Sequence, residues 1–366
     1  MVDMGRRPTI YDVAREAGVA ASTVSRAYSR PGRVNADTAQ RVFLVAERLG
    51  YRARRLNSHR PVGGQVRQAV GLVVADVTNP FYGDIIKGAY EAAREAGYQL
   101  ILTHTNESPE VERQAIEHEL AQVDGIVIAS SRMTDSALRM VVKQKAVVLL
   151  NRAIPEASCV LTDDERGILR AAEHLASLGH DRITYVAGPE TSWSDGVRWR
   201  SVRMAAARLD LDVKRIGPNE PTVLAGLSAA RRVAELDATA VLAYNDPLAI
   251  GVMKGLRKLR IVVPQDRSVI GFDNIMFDEL VEPTLTTVAS PLYRMGFTGV
   301  QNCIAVSLGA RPCGPPLVLP IRLVVRQSTA PAPVQRRRNR TSPARGTTRV
   351  SGSAAKAARS IVSGSR

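Results

Sequence analysis

The sequence has few cysteines, no leader-like start and no long apolar run. Its three cysteines, scattered over 366 residues, lack paired spacing, which predicts a reduced compartment rather than a disulfide framework. No basic-then-apolar segment opens the chain, and no stretch of about 18 apolar residues occurs. We therefore expect a cytoplasmic protein that is neither secreted nor membrane-spanning.

Motifs that carry catalysis or bind cofactors are also lacking. We find no phosphate-binding loop, HExxH motif, CxxC pair or GxSxG nucleophile elbow. The five histidines do not have ligand spacing, and His180, near a predicted helix end, fits a structural hydrogen bond. We expect no catalytic residue, no metal, no cofactor and no enzyme activity.

Positive charge is concentrated at the two ends of the chain. Residues 1–60 hold 12 Lys/Arg against 5 Asp/Glu, and residues 331–366 hold 9 Lys/Arg and no acid. Residues 61–330 carry the remaining 29 basic and 30 acidic side chains, so the middle is almost neutral. This asymmetry predicts a polyanionic partner at the ends and a different role for the middle.

Two short helical patterns near the N-terminus meet at a glycine. Thr9 and Asp12 form a capping-box-like start, and Gly18 can end the first helix in the left-handed conformation. A second helix is predicted at about 22–28, with a third, beginning near Asp37, packed against both. This is the pattern of a helix-turn-helix domain.

In such a domain the start of the second helix enters the DNA major groove. Its outward residues are predicted to be Ala21, Ser22, Ser25 and Arg26. Arg26 can pair with two acceptors on guanine, and Ala21 can contact a thymine methyl group. The alternative is a small helical domain whose polar face is only solvated.

From residue 70 onward, apolar strand patterns alternate with helical patterns. This alternation predicts doubly wound α/β sheets, and the length suits two lobes. Polar or aromatic residues follow several strands where ligands bind in such sheets, among them Phe81, Tyr82, Ser130, Ser131, Arg198, Asn245 and Asp273. Together they suit a polyhydroxylated or heterocyclic small molecule, although each alone could be a helix cap or a turn.

The segments TIYDVAREAGV, STVSR and LGYR closely resemble the N-terminus of lactose-repressor (LacI/GalR) family regulators. VTNPFYGDIIKG, LGHDRITYVAGP, AYNDPLAIG, PTLTTVASP and LPIRLVVRQST are similar to successive segments of that family's effector-binding core. The resemblance covers about residues 8–329. It implies an N-terminal all-α helix-turn-helix domain and a two-lobed, periplasmic-binding-protein-like α/β core with two doubly wound parallel sheets and three crossover strands.

The resemblance also implies roles in DNA binding. It assigns base reading to Ala21, Ser22 and Arg26, and phosphate or groove-edge contacts to Thr9, Tyr11, Thr23 and Ser25. Two positions depart from the family pattern. Ala20 replaces the usual serine before the recognition helix, so that Ser22 would have to cap it, and Ser29, which we include in the DNA-binding set, replaces a frequent asparagine.

In the core, the resemblance places Phe81 and Tyr82 on the first-lobe side of an effector cleft. It places Arg198, Asn245 and Asp273 on the second-lobe side. Pro221 falls where several sugar-binding members have a stacking aromatic residue, for which Trp193 or Trp199 could substitute. A sugar or sugar derivative is the family default, so the effector's chemistry stays open.

The patterns divide the chain into four predicted regions. They are a helix-turn-helix domain at 1–51, a basic linker at 52–68, a core at 69–329 and a disordered basic tail at 330–366. We expect one lobe at about 69–160 and 290–316 and the other at about 161–289 and 317–329. The resemblance implies a linker leucine that wedges into the DNA minor groove, for which Leu56 is the one available, and a flexible basic tether is the alternative. The tail either adds phosphate contacts or has no role.

The leading interpretation is a DNA-binding transcriptional regulator, usually a repressor, controlled by a small effector. Two copies related by a dyad would read a palindromic operator on double-stranded DNA in the nucleoid. The tail has no leucine heptad, which favours a homodimer over a tetramer. The alternatives are a transport-type binding protein, a nonspecific chromosome-binding protein and an enzyme on the same scaffold.

Overall fold

The computed structural model describes residues 9–29, 34, 36–49, 68–311 and 314–333. Most of the predicted linker, including Leu56, and the tail from residue 334 lie outside the described residues, as does the side chain of Ser29. The predicted roles of these residues therefore stay predictions.

The N-terminal part is a three-helix domain of α1 (Ile10–Ala17), α2 (Ala21–Ser29) and α3 (Ala36–Leu49). Each helix contributes a fully buried valine to a small shared core: Val13, Val24 and Val42. Asp12 Oδ2 accepts hydrogen bonds from the Thr9 backbone N–H and hydroxyl, at 2.8 and 2.6 Å. Gly18 ends α1 with φ +64°, a conformation that glycine adopts without strain. The predicted helix-turn-helix is confirmed.

Beyond residue 68 the strands and helices alternate as the sequence predicts. The strands are β1 (Ala69–Val74), β2 (Gln99–His104), β3 (Gly125–Ala129), β4 (Ala146–Leu150), β5 (Ser158–Thr162), β6 (Arg182–Val186), β7 (Asp212–Ile216), β8 (Ala240–Ala243), β9 (Ser268–Asp273), β10 (Thr286–Ala289), β11 (Leu317–Leu319) and β12 (Arg322–Val324). The helices are α4 (Phe81–Ala96), α5 (Pro109–Glu119), α6 (Asp135–Val142), α7 (Asp164–Ser177), α8 (Trp193–Leu209), α9 (Val223–Glu235), α10 (Asp246–Lys258) and α11 (Leu292–Ser307), with a 3-10 helix at Met276–Glu279.

The strands form two six-stranded sheets, one in each lobe. Their orders are β11-β5-β4-β3-β1-β2 and β12-β10-β9-β8-β6-β7. All pairings are parallel except that of β10 with β12. The predicted pair of doubly wound parallel sheets is therefore confirmed, with one antiparallel strand at the edge of the second sheet. β12 enters that sheet directly after β11 leaves the first, from the opposite direction.

The expected lobe boundaries are also corrected. β11 pairs with β5 in the first sheet, with Leu317 opposite Val160, whereas we assigned residues 317–329 to the second lobe. β5 itself runs to Thr162, two residues past the expected boundary. β5 and β11 pair with each other as far as their last residues. The chain therefore passes from the first lobe to the second after Thr162 and again after Leu319.

Each lobe has one close crossing of two helices. In the first lobe, a Cβ on Gly88 of α4 would overlap the backbone carbonyl of Tyr293 in α11. In the second lobe, a Cβ on Gly226 of α9 would overlap the carbonyl of Leu248 in α10. Glycine is required at both positions because each backbone touches its neighbour directly.

Candidate ligand cleft and nucleic-acid interface

Helix α2 presents the polar side chains that the sequence assigned to DNA. Ser22, Ser25 and Arg26 are exposed, and the Arg26 Nη2 group donates to Ser22 Oγ at 3.2 Å. Ala21 and Thr23 are half-buried. Arg26 therefore lies on the surface of α2, one turn beyond Ser22, where it can reach a base edge.

Ser22 does not cap α2. The helix begins at Ala21, and the N–H groups of Thr23 and Val24 donate to the Ala20 carbonyl. Ser22 thus lies inside the first turn, which corrects the expectation that it could replace the serine missing at position 20. In α1, Tyr11 is 72% exposed and available to a partner, whereas the Thr9 hydroxyl is engaged with Asp12.

A cleft of about 320 Å³ opens at the carboxyl ends of the strands, between the two lobes. Six of the seven predicted ligand residues line it: Phe81, Tyr82, Ser130, Arg198, Asn245 and Asp273. Pro221 also lines it. Asn79, which follows the first strand in the same NPFY segment, lines it too. The sequence interpretation missed five further lining residues: Glu107, Arg132, Asn151, Ser194 and Tyr244.

Ser131 is the predicted residue that the cleft leaves out. It is buried, and its hydroxyl accepts a hydrogen bond from the Met133 N–H at 3.1 Å, so it shapes the turn after β3. The neighbouring Arg132 points into the cleft instead. Ser131 is therefore a turn residue, and the prediction that it lines the cleft is wrong.

Arg198 is the central cation of the second-lobe wall. It extends from α8, which begins at Trp193 because Ser192 Oγ caps the helix by accepting from the Asp195 N–H. Its Nε donates to Asp164 Oδ2 at 2.9 Å, and its Nη1 donates to the Tyr244 carbonyl at 2.6 Å. The guanidinium is thus fixed before any ligand arrives.

Asp273, at the end of β9, faces Arg198 in a strained conformation. Its φ is +117°, a region that residues with a side chain rarely adopt. Its Oδ1 lies 3.5 Å from Arg198 Nη2, an ion pair without hydrogen-bond geometry. Burial raises the pKa of the Asp273 carboxyl, and the Arg198 charge opposes this shift. Strain and an unmatched polar atom mark this as a place built for a ligand.

Arg132 is the corresponding cation on the first-lobe wall. Its Nε and Nη2 both lie 2.6 Å from Glu107 Oε2. Behind it, Glu112 Oε2 accepts from the Arg132 backbone N–H at 2.8 Å. Burial raises the pKa of Glu112, which lies on α5. One carboxyl group therefore holds the backbone of Arg132 and another holds its guanidinium.

Aromatic rings complete the cleft. Phe81 and Tyr82, at the start of α4, meet edge to face with centroids 4.9 Å apart. Burial raises the pKa of Tyr82 far above its ordinary value, so its hydroxyl stays protonated and can donate. On the opposite wall the Tyr244 hydroxyl lies 3.0 Å from Ser192 Oγ. Trp199 instead stacks on Tyr185 in the second-lobe core, so it does not replace a ring at Pro221.

Polar contacts join the two lobes beside the cleft. Ser194 Oγ in the second lobe donates to the Asn151 carbonyl in the first at 3.2 Å. At the end of β5, the Thr162 hydroxyl lies 3.2 Å from Asn151 Oδ1 and 2.5 Å from Asp164 Oδ1. Because Asp164 also holds Arg198, a continuous set of contacts runs from the first lobe to the central cation of the second.

The described part of the chain contains neither a cluster of metal ligands nor a membrane-spanning helix. No group of three or more His, Cys, Asp or Glu side chains there could hold a metal ion. None of the helices described in these residues combines the length and apolarity needed to cross a bilayer.

Known protein families match both ends of this architecture. Residues 9–54 match bacterial regulatory proteins of the lacI family, and residues 172–329 match a periplasmic binding protein-like domain. The transcriptional regulator DegA of Bacillus subtilis (strain 168) is 34% identical over 336 residues, covering 89% of this chain and 99% of DegA. The chain belongs to the LacI family.

Solved structures of LacI-family regulators have the same core. A regulator from Enterococcus faecium with bound ribose is 29% identical, with a TM-score of 0.65, over 72% of this chain and 99% of that one. The CelR–cellobiose complex is 28% identical, also with a TM-score of 0.65, over 88% of this chain and 100% of that one. The predicted family and the two-lobed fold are confirmed, and the chain is a LacI-family transcriptional regulator.

Proposed function

We propose that this LacI-family regulator binds a palindromic operator as a homodimer and that a small effector in the cleft sets its operator affinity. The observation that carries the effector half is the convergence of Arg132, Arg198 and Asp273 on one space between the lobes. A repressor role is the one that this family favours. The four regions set out above, with their corrected lobe boundaries, are part of the proposal.

For DNA, we assign base reading to Ala21, Ser22 and Arg26. Tyr11, Thr23 and Ser25 would contact phosphates or the groove edge. Thr9 would do so once its hydroxyl leaves Asp12. Exposure of Arg26 on α2 supports this assignment. Ser29, Leu56 and the basic tail keep their predicted DNA contacts as hypotheses.

For the effector, we propose a small sugar or sugar derivative. The cleft combines aromatic faces with guanidinium, carboxyl, amide and hydroxyl groups, which suit a ligand carrying several hydroxyl groups. The related structures that contain ribose and cellobiose support the same class.

Effector binding is coupled to operator affinity through the residues that line the two walls of the cleft. Because the cleft has a wall in each lobe, a ligand that contacts both walls stabilises one relative arrangement of the lobes over others. Operator affinity then changes by the ligand's difference in affinity for the two arrangements. We propose that the protein binds its effector without converting it and acts on DNA in the cytoplasm.

The first test is the selection of bound duplexes from a random pool, at near-physiological salt, with full-length protein. A dyad-symmetric site is expected. Arg26→Ala should then weaken binding to that site by about 1–3 kcal/mol and relax one base position. Strong binding without an enriched sequence would favour a nonspecific chromosome-binding protein instead.

The second test measures affinity for that selected site by fluorescence anisotropy, with and without neutral mono- and disaccharides. We expect at least one sugar to change operator affinity by about fivefold or more, the usual range for allosteric coupling. A sugar that binds the protein without changing operator affinity would contradict effector control and favour a transport-type binding protein.

A further inference from the structure

Both cations of the cleft are already neutralised by the protein. Arg132, whose side chain is 3% exposed, is paired with Glu107 through two nitrogens. Arg198, equally buried, lies between Asp164 and Asp273. A phosphate or carboxylate group entering the cleft would therefore meet each guanidinium with a carboxyl group beside it.

The cleft also holds polar atoms that need a partner. Within the described residues, Glu107 Oε1 is buried without a hydrogen-bond partner, and so is Asp273 Oδ1 on the opposite wall. A buried carboxylate oxygen needs a donor, and hydroxyl groups supply one. A phosphate or carboxylate group supplies acceptors and negative charge instead, so placed beside either oxygen it leaves that oxygen unmatched.

We propose that Glu107 makes the cleft select neutral, hydroxyl-rich ligands and reject the phosphorylated or carboxylated forms of the same compounds. This inference rests on the proposed function, because it concerns the effector of the same cleft. It names the residue that decides the ligand's charge class.

The backbone holds Glu107 in place independently of Arg132. Asn106 and Glu107 have positive φ, +51° and +61°, and the Glu107 N–H donates to the Ala75 carbonyl just after β1, at 3.0 Å. Arg132 is held from the other side by Glu112. The turn that carries Glu107 is therefore tied to the first sheet, and its carboxyl group stays within reach of Arg132.

The chain carries its own reporter of cleft occupancy. Its two tryptophans, Trp193 and Trp199, both lie in α8, the helix that also carries Ser194 and Arg198 into the cleft. Tryptophan emission should therefore respond to a ligand in the cleft. The helix-turn-helix sequence contains no tryptophan, so anions bound there have no such reporter beside them.

The experiment titrates full-length protein with D-ribose, D-glucose, D-galactose and cellobiose, then with ribose 5-phosphate, glucose 6-phosphate, galactose 6-phosphate and inorganic phosphate. We expect a saturable change in tryptophan emission with at least one neutral sugar and none with its phosphate ester. In Glu107→Gln, Arg132 loses its counter-charge, so phosphate and the esters should bind about ten- to a hundredfold more tightly than they bind the wild type.

Glu156→Gln is the matched control. It removes the same charge from the same lobe, but from an exposed pair with Arg139. It should leave every titration as in the wild type. Thermal unfolding checks that Glu107→Gln is folded, and the comparison of sugar with ester in the wild type needs no variant.

Three results would overturn the inference. They are an ester that binds the wild type as tightly as its parent sugar, a panel in which no neutral sugar binds, and a folded Glu107→Gln that still excludes phosphate. An ester that binds and also changes operator affinity would reject the role of Glu107 while leaving effector control standing. If no compound of the panel changes either tryptophan emission or operator affinity, the result contradicts both the role of Glu107 and effector control by sugars.

Discussion

The two walls of the cleft treat their cations differently. On the second-lobe wall, Arg198 is enclosed by Asp164, Asp273, the Tyr244 carbonyl and the Phe272 ring, whose centroid lies 3.5 Å from the guanidinium carbon. On the first-lobe wall, Arg132 has a single carboxylate partner, Glu107, which is 24% exposed.

The two arginines therefore have different roles: the partners of Arg198 make it rigid, whereas the partner of Arg132 makes it selective. A cation with every side occupied is part of the lobe's own structure, and a ligand can only add to it. A cation with one partly exposed partner can respond to what enters the cleft. The second wall therefore positions the ligand, and the first wall distinguishes one ligand from another.

The strongest test of this comparison removes Arg198. In Arg198→Met, two buried carboxyl groups and a carbonyl lose their partner, so we expect the free energy of unfolding to fall by about 3–5 kcal/mol. Urea unfolding followed by tryptophan emission measures it. Arg200→Met, on the exposed side of the same helix, should change stability by less than about 1 kcal/mol. Similar losses for the two variants would mean that Arg198 is not structural.

A second test asks whether the close helix crossing of each lobe depends on its glycine to the same extent. Gly88→Ala in the first lobe and Gly226→Ala in the second each place a methyl group against a backbone carbonyl. Both should destabilise by about 1–3 kcal/mol in urea unfolding followed by circular dichroism.

The controls are Gly83→Ala and Gly196→Ala, where an added Cβ meets open space. These substitutions should be neutral or stabilise by up to about 1 kcal/mol. If only one of the two crossings is sensitive, the lobes do not use the same packing.

The last test concerns buried acids of the second lobe. Asp278 faces Asp246, and burial followed by the Asp246 charge raises the pKa of Asp278 to about 10. The folded state thus holds a proton that the unfolded chain releases near pH 4. The contribution of Asp278 to the free energy of unfolding is therefore fully present below about pH 4. It is lost as the pH rises from about 4 toward 10, by at most about 1.4 kcal/mol per pH unit.

Asp278→Asn keeps the shape without the proton, so its free energy of unfolding should fall less between pH 6 and pH 9 than that of the wild type. Urea unfolding at the two pH values measures the difference. Asp181→Asn, a 74% exposed acid in the same lobe, should retain the wild-type pH dependence. An unchanged slope in Asp278→Asn would mean that Asp278 is ionised in the folded protein.

Local sequence patterns predicted most of the fold, because buried parallel strands appear as apolar runs. β1, AVGLVV, is buried at every position. The same rule misses β7, DVKRI, an edge strand with little burial. It also cannot show that β12 runs antiparallel, since direction depends on where the chain crosses between the lobes.

The cleft was predictable where a residue ends a strand, as Asp273 does, or directly follows one, as Ser130 does. It was not predictable where side-chain direction decides. Ser131 and Arg132 are neighbours after β3, yet only Arg132 reaches the cleft, because the Ser131 hydroxyl turns back to the Met133 N–H. Glu107 follows β2 by three residues, and only its positive-φ turn directs it inward.

The crossing of β11 back into the first sheet has a consequence for synthesis on the ribosome. Helix α11, whose Tyr293 and Gly296 meet α4 at Gly88 and Ile85, and strand β11, which extends the first sheet, are made after all strands of the second sheet except β12. About 195 residues separate the end of α4 from the start of α11, roughly 10–40 s of elongation. During that time the apolar face of α4 lacks the helix that packs on it, so the lobe that begins first cannot be completed until most of the other lobe has been made.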